Sequence, residues 1–79
     1  MKKWEVDVNG HKIKVINTWS KDALFVDGRL QDERLWIKYD SRLYGKLPTG
    51  EEIKVSIGGI FSIECRLFVD NQWIELEWF

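Results

Sequence analysis

Hydrophobic and polar residues alternate along most of this chain with a period of two, and this pattern predicts β-strands. The first alternating segments flank Asn9-Gly10, a dipeptide typical of two-residue hairpin turns. Such a turn fixes the register, so one face collects Trp4, Val6, Ile13 and Val15. The other face sets Asp7 against Lys12 and Glu5 against Lys14. The sequence therefore predicts a hairpin with one apolar and one charged face.

Two further turn dipeptides predict two further hairpins. Asp27-Gly28 follows an apolar segment and leads back through Arg29-Leu30. Asp70-Asn71 would close the last hairpin and place Phe68 opposite Trp73. Continued to the end of the chain, this register pairs Arg66 with Glu75, Cys65 with Leu76 and Ile63 with Trp78. We expect the inner face of this hairpin to hold Ile63, Cys65, Leu67, Ile74, Leu76 and Trp78.

The middle of the chain supplies the remaining strands. Residues 18–22 interrupt the alternation and predict a loop, in which Trp19 is too large to remain wholly exposed. Residues 31–34 are polar and predict a bulge or turn before a return strand over residues 35–39. Strands are also expected over 43–47, 53–57 and 60–69, with a turn at Pro48 and another at Gly58-Gly59.

These segments predict an all-β fold. About eight strands joined by short loops, with no convincing helix, indicate a small antiparallel β-sandwich built from hairpins. The chain has 79 residues and therefore forms one domain over residues 1–79. Hydrophobic residues make up 44% of it and include five tryptophans, which is enough apolar material for a core without a disulfide.

Charge and cysteine content narrow the choice of partner and compartment. Twelve basic and 13 acidic residues give a net charge of -1 without a run of either sign, which argues against a nucleic-acid partner. The N-terminus is polar, and no apolar stretch is long enough to span a membrane. Cys65 is the single cysteine and has no partner for an internal disulfide. We therefore expect a cytoplasmic protein with no membrane association.

The sequence contains no convincing catalytic or metal-binding constellation. His11 is the single histidine and follows a tight turn, with no nucleophile linked to it. Cys65 falls on the predicted inner face, where thiols are usually inert. Gly58-Gly59 lacks the lysine and helix of a phosphate-binding loop, and Glu75 with Glu77 is typical of a solvated strand face. We predict no enzymatic activity, no cofactor and no metal ion.

Short motifs in this chain resemble the Fas apoptotic inhibitory molecule family. Near the start these are Trp4-Glu5-Val6-Asp7-Val8, His11-Lys12-Ile13 and Val26-Asp27-Gly28. The tail adds Ile53-Lys54-Val55-Ser56-Ile57 and Ile63-Glu64-Cys65-Arg66-Leu67-Phe68-Val69-Asp70, which are similar to the family's closing strands. The resemblance covers most of the chain. It implies a single-domain relative with a compact antiparallel β-sandwich that acts through protein contacts, without known catalytic residues.

The tryptophans outside the predicted core indicate a binding surface. Trp19, Trp36 and Trp73 fall at loop or outer positions, where aromatic residues often anchor protein interfaces. The candidate interaction residues are Phe68, Trp73, Trp36 and Arg66, serving a protein partner or self-association through this patch or an exposed sheet edge. A small-ligand or carbohydrate-binding module that uses exposed tryptophans is the alternative. A structural role, covering the sheet faces, also remains open.

Overall fold

A computed structural model of the chain describes residues 1–35, 40–59 and 62–78. They form nine strands: β1 (Lys2–Val8), β2 (His11–Asn17), β3 (Lys21–Val26), β4 (Arg29–Leu35), β5 (Asp40–Lys46), β6 (Glu52–Gly58), β7 (Glu64–Val69), β8 (Gln72–Ile74) and β9 (Glu77–Trp78). None of the described residues is helical. The prediction of an all-β fold is confirmed, with nine strands where about eight were expected.

The strands form two antiparallel sheets. One has the order β4-β3-β2-β1-β9 and the other the order β5-β6-β7-β8, so most neighbours in a sheet are also neighbours along the chain. The inward-facing residues of both sheets make one core, formed by Trp4, Ile13, Val15, Leu24, Val26, Leu43, Leu47, Ile53, Val55, Ile57, Leu67 and Val69. The arrangement is the predicted antiparallel β-sandwich.

Three hairpin turns occur where the sequence predicts them. Trp4 lies opposite Val15 and Val8 opposite His11, as the turn at Asn9-Gly10 requires. Each turn places both of its central residues at positive φ: 51° and 80° at Asn9 and Gly10, 50° and 81° at Asp27 and Gly28, and 49° and 65° at Asp70 and Asn71. Asn, Asp and Gly reach this left-handed region at the least cost, which explains why these dipeptides set the register.

Strand β4 contains the predicted bulge, but it does not end there as predicted. Leu24 lies opposite Asp32 and Phe25 opposite Leu30, so Gln31 is the extra residue of a bulge. The strand nevertheless continues to Leu35. Polar residues 31–34 therefore belong to a strand, because β4 is the last strand of its sheet and its side chains are largely exposed. The predicted return strand over 35–39 otherwise lies outside the described residues.

The C-terminal end of the predicted closing hairpin is wrong. Phe68 does lie opposite Trp73, but β8 ends at Ile74. The chain then leaves this sheet, and Trp78 lies opposite Trp4 of β1 in the other sheet. The expected pairing of Ile63 with Trp78 is therefore absent, as are the two pairings before it. The crossing supplies hydrogen-bond partners to part of β1, which would otherwise end its sheet unpaired.

The predicted strand over 60–69 is shorter than expected. β7 begins at Glu64, and residues 60–61 lie outside the described residues. The structure describes the backbone of Trp78, and the expected place of its side chain in the core stays a prediction.

Trp19 is 94% exposed, contrary to the expectation that the fold would partly cover it. Hydrogen bonds close the loop between β2 and β3 tightly. The backbone N–H of Thr18 donates to the Lys21 carbonyl at 2.8 Å, and Thr18 Oγ1 accepts from the backbone N–H of Lys21 at 3.1 Å. A loop of this length turns its tip away from the sheets, so Trp19 projects into solvent.

Side chains from β4 cover part of the edge of β5. Asp32 Oδ2 accepts a hydrogen bond from the backbone N–H of Tyr44 at 3.0 Å, and Gln31 Oε1 accepts one from Lys46 at 3.4 Å. Gly45 lies between these two positions, and a Cβ there would be 3.1 Å from Leu24 Cδ2. The close approach of the two sheets at this corner therefore favours glycine. The hydrogen bonds to Asp32 and Gln31 satisfy backbone N–H groups that an open strand edge would present to another chain.

One polar pair lies inside the apolar core. Asp22 is fully buried, and its Oδ1 accepts a hydrogen bond from Asn17 Nδ2 at 2.5 Å. The two residues lie opposite each other on β3 and β2. The hydrogen bond satisfies Asn17 Nδ2 and Asp22 Oδ1, which limits the cost of removing them from water, whereas Asp22 Oδ2 has no hydrogen-bond partner among the described residues.

Candidate functional site

One row of residues crosses the outer face of the four-stranded sheet. Tyr44 lies opposite Lys54, Lys54 opposite Phe68, and Phe68 opposite Trp73, so that each strand contributes one side chain. Residues directly opposite in antiparallel strands have Cβ atoms about 5 Å apart, close enough for neighbouring side chains to touch. We call these four residues the aromatic row.

The aromatic row is accessible from solvent. Trp73 is 67% exposed and Tyr44 is 49% exposed, whereas Phe68 is half-buried between its neighbours. The alternation of β7 explains this placement, because the flanking Leu67 and Val69 point into the core. Three large rings thus lie on a surface that strand periodicity would ordinarily fill with polar side chains.

A second row of residues lies beside the aromatic row. Arg42 lies opposite Ser56, and Ser56 lies opposite Arg66. We call these three residues the arginine row. Together with residues of the aromatic row they line a shallow depression of about 370 Å³, formed by Arg42, Tyr44, Lys54, Val55, Ser56, Arg66 and Phe68. No acidic residue is in that lining.

The positively charged side chains at this depression form few and weak contacts with other residues. Arg66 Nη2 lies 3.9 Å from Glu64 Oε2, and both side chains are mostly exposed. An exposed pair at that distance contributes little stability and leaves the guanidinium able to bind another anion. Lys54 Nζ donates to Asn71 Oδ1 at 3.1 Å. Among the side chains that the structure describes, no carboxylate oxygen lies within 4.0 Å of a nitrogen of Arg42 or Lys54.

The structure brings together three of the four candidate interaction residues. Phe68 and Arg66 lie on β7 and Trp73 lies on β8, all on the same sheet. Trp36 is outside the described residues. The expected ion pair between Arg66 and Glu75 does not form, because β8 has ended before Glu75 and Arg66 pairs with Glu64.

Sequence reasoning missed three residues of this surface: Arg42, Tyr44 and Lys54. All three lie on β5 and β6, which were predicted as strands without a mutual register. The sequence indicates a turn at Pro48 but not which residues flank it. In the structure Leu47 donates its backbone N–H to Glu51, and counting back from that contact sets Tyr44 opposite Lys54.

The single histidine lies in a different part of the molecule. His11 Nδ1 is 2.6 Å from Asp27 Oδ2, and Asp27 Oδ1 accepts the backbone N–H of Lys12 at 2.9 Å. These contacts join the first hairpin to the turn that follows β3. In the same region, Asn9 Nδ2 donates to the carboxylate of Glu51 and ties the first turn to the opposite sheet. The histidine is thus placed among turn residues that hold the end of the sandwich together.

Cys65 packs against the core at one side of the sandwich. Burial raises the pKa of its thiol to about 12, and the negative charge of Asp22 adds to the effect. A thiol with this pKa is protonated at neutral pH and is a poor nucleophile. It borders a crevice of about 570 Å³ whose lining includes Lys2, Arg66, Glu64 and Glu75. This larger crevice mixes charges of both signs, so it offers no concentrated field for a charged ligand.

The outer face of the five-stranded sheet is the other broad surface. It carries ion pairs of Glu5 with Lys3 and Lys12 at 3.9 and 3.8 Å. Phe25 is half-buried, and Lys14 Nζ lies 5.6 Å from the centre of its ring. The aromatic group here is thus covered by a cation of the same chain, in contrast to Trp73.

In residues 1–35, 40–59 and 62–78, no group of three or more His, Cys, Asp or Glu residues could hold a metal ion. The same part of the chain contains no helix long and apolar enough to cross a membrane. Comparisons with family models, curated proteins and solved structures find no match to this chain.

Proposed function

We propose that this domain is a non-enzymatic protein-binding module whose binding surface is the outer face of the four-stranded sheet. The observation that carries the proposal is the aromatic row, in which Tyr44, Phe68 and Trp73 are presented by three strands of one rigid sheet. Tyr, Trp and Arg supply much of the binding energy in protein interfaces. The arginine row lies directly beside the aromatic row and adds the third of these residue types.

The positions of the two most reactive side chains support a role without catalysis. Cys65 is held as a protonated thiol, with its pKa raised to about 12. His11 is engaged with Asp27 in the turn region. Neither side chain lines the depression on the outer face. The proposal includes a cytoplasmic location, which the single cysteine supports, since it cannot form a disulfide within the chain.

Kinship with the Fas apoptotic inhibitory molecule family is part of the same proposal. The motifs that carry the resemblance occupy β1, the start of β2, and the turn after β3. Those of the tail occupy β6 and β7. They lie in both sheets, which supports a shared sandwich, and protein contacts are the mode of action that the resemblance implies.

Carbohydrate binding is the second candidate, and the exposure of Trp73 favours it. A ring that is 67% exposed can stack against a sugar. Trp19 belongs to the loop between β2 and β3 of the other sheet, so Trp73 and Trp19 do not form one platform. A saturable change in tryptophan fluorescence on adding oligosaccharides, lost in Trp73→Ser, would support this candidate over protein binding.

Selection of displayed random peptides tests the proposed function. The native protein, Phe68→Ser/Trp73→Ser and the control Trp19→Ser/Leu30→Ser are each used to select peptides from one library. The control removes two exposed apolar side chains from the other sheet. We expect the native protein and the control to enrich a common set of peptides that the first variant no longer enriches. Enrichment of the same set by all three proteins would contradict the proposal.

Self-association is tested by molar mass from light scattering over a range of concentrations. If a second copy is the partner, the native mass rises with concentration, whereas Phe68→Ser/Trp73→Ser remains a monomer. A native assembly that persists in this variant, while Trp19→Ser/Leu30→Ser dissociates, would place the self-interface on the other sheet.

A further inference from the structure

The arginine row combines positive charge with a polar hydrogen-bonding group at the centre of the outer face. Arg42 and Arg66 lie on the strands either side of β6, and Ser56 lies between them. Lys54 is two residues before Ser56 on the same strand and therefore shares its face. Three cations consequently border one shallow depression of about 370 Å³.

The charge of this depression is not balanced by its own lining. The seven lining residues are three cations, two aromatic residues, a valine and a serine. The whole chain has a net charge of -1, so the positive charge is local to this face. Guanidinium groups bind carboxylates through paired hydrogen bonds, and the serine hydroxyl can donate to the same anion.

The neighbouring aromatic rings indicate which group of the ligand lies beside its anionic group. Tyr44 and Phe68 belong both to the aromatic row and to the lining of the depression. A ligand that placed an anionic group between the arginines would bring its adjoining atoms against these rings. An apolar side chain next to a carboxylate satisfies both requirements, because it would bury ring surface that is now exposed to water.

We propose that the outer face binds an acidic peptide segment of a partner protein, with carboxylates at the arginine row and an apolar side chain on the aromatic row. The inference rests on the proposed function and names the chemistry of the partner. The lining of the depression holds three cations, and Glu64 lies beside one of them. Nucleic-acid binding draws on many phosphate contacts along an extended positive surface, so these features favour a short acidic segment.

The test uses a short peptide of Glu-Glu-Leu repeats and a matched peptide with Gln in place of Glu. Binding of each labelled peptide is measured by fluorescence anisotropy with the native protein and two double variants. Arg42→Gln/Arg66→Gln removes two cations from the outer face. Lys12→Gln/Lys14→Gln removes the same charge from β2 of the other sheet. Circular dichroism and melting temperature establish that each variant is folded.

We expect the acidic peptide to bind the native protein and the lysine variant equally. Its affinity for the arginine variant should be at least about tenfold lower, as the loss of charged hydrogen bonds to a carboxylate implies. The Gln peptide should also bind more weakly than the acidic one, and added salt should weaken acidic-peptide binding.

Three results would overturn the proposal: an acidic peptide that does not bind, equal binding to the arginine variant, or tighter binding of a thymidine oligonucleotide at the same face. If Phe68→Ser/Trp73→Ser loses its selected peptides while Arg42→Gln/Arg66→Gln keeps them, the acidic partner is wrong and the protein-binding function stands. If neither variant changes the selected peptides, both proposals are wrong.

Discussion

Asp27 shows how much one turn residue contributes to the end of the sandwich. It adopts a φ of 50° in its turn while its carboxylate engages two residues of β2. The hydrogen bond from the backbone N–H of Lys12, followed by that with His11, holds the pKa of Asp27 below its usual value of 3.8. A carboxylate with a lowered pKa stabilises the folded state above its ordinary pKa, and this stability is lost as the pH falls through the lowered value.

Asp27→Asn keeps a side chain that tolerates positive φ but removes the carboxylate. We expect the variant to melt at a lower temperature than the native protein at neutral pH, with the gap narrowing as the pH falls below 3.8. Thermal unfolding at neutral and acidic pH measures it. A gap that stays constant across this range would show that the charge of Asp27 does not stabilise the fold.

The contact of His11 with Asp27 could not be predicted from the sequence. Register within the first hairpin follows from one turn and could be predicted residue by residue. His11 and Asp27 belong to different hairpins, separated by the loop that contains Trp19. Their contact depends on how β3 aligns with β2, and the three-residue loop between the strands carries no turn dipeptide that fixes this alignment.

Among the single elements, strand β7 alternates residues that pack in the core with residues exposed on the outer face. Leu67 is fully buried, whereas its neighbour Arg66 is exposed on the outer face. Adjacent residues therefore have opposite roles, as the period of a strand requires.

Two substitutions on β7 test this separation. Leu67→Ala should lower the free energy of unfolding by about 2 to 5 kcal/mol, because it leaves a cavity in the core. Arg66→Ala should change it by no more than about 0.5 kcal/mol, since its ion pair is exposed. Chemical denaturation of both variants measures the difference. A large loss in Arg66→Ala, comparable to that of Leu67→Ala, would contradict the assignment of Arg66 to binding rather than folding.

Side chains of β4 protect the backbone N–H groups at the edge of β5. Removing the acceptors in Gln31→Ala/Asp32→Ala deprives the backbone N–H groups of Tyr44 and Lys46 of their partners. We expect faster hydrogen exchange at these two amides and a greater tendency to associate through the exposed edge. Exchange measured by NMR, with an amide of the interior strand β6 as control, tests this. Unchanged protection at Tyr44 and Lys46 would show that the side chains do not cover the edge.

At the scale of the whole molecule, the fold class followed from the sequence but the closure of the sandwich did not. Alternation and three turn dipeptides predict the hairpins, and each hairpin folds as expected near its turn. The crossing of the chain after Ile74 to pair with β1 was missed, because apolar alternation continues through Leu76 without a break. Alternation specifies which face of a strand is buried, and it does not specify which sheet the strand joins.

The same limit explains why only part of the candidate site could be predicted. Phe68 and Trp73 were paired from one turn, and Arg66 follows from the period of β7. Tyr44 and Arg42 reach the same face only because β5 pairs with β6 and β6 with β7. A surface that spans four strands depends on the registers of three strand pairs, and only the register of β7 with β8 could be predicted from the sequence.

Mapping of backbone amide shifts by NMR locates the binding surface residue by residue. A peptide selected by the native protein is added to the isotope-labelled domain, and the residues whose signals move are assigned. We expect changes concentrated on the outer face of the four-stranded sheet, at Tyr44, Lys54, Phe68 and Trp73, together with the indole N–H of Trp73. Changes concentrated instead on β2 and β3, around Phe25 and Trp19, would show that the binding surface lies on the other sheet and would contradict the proposed function.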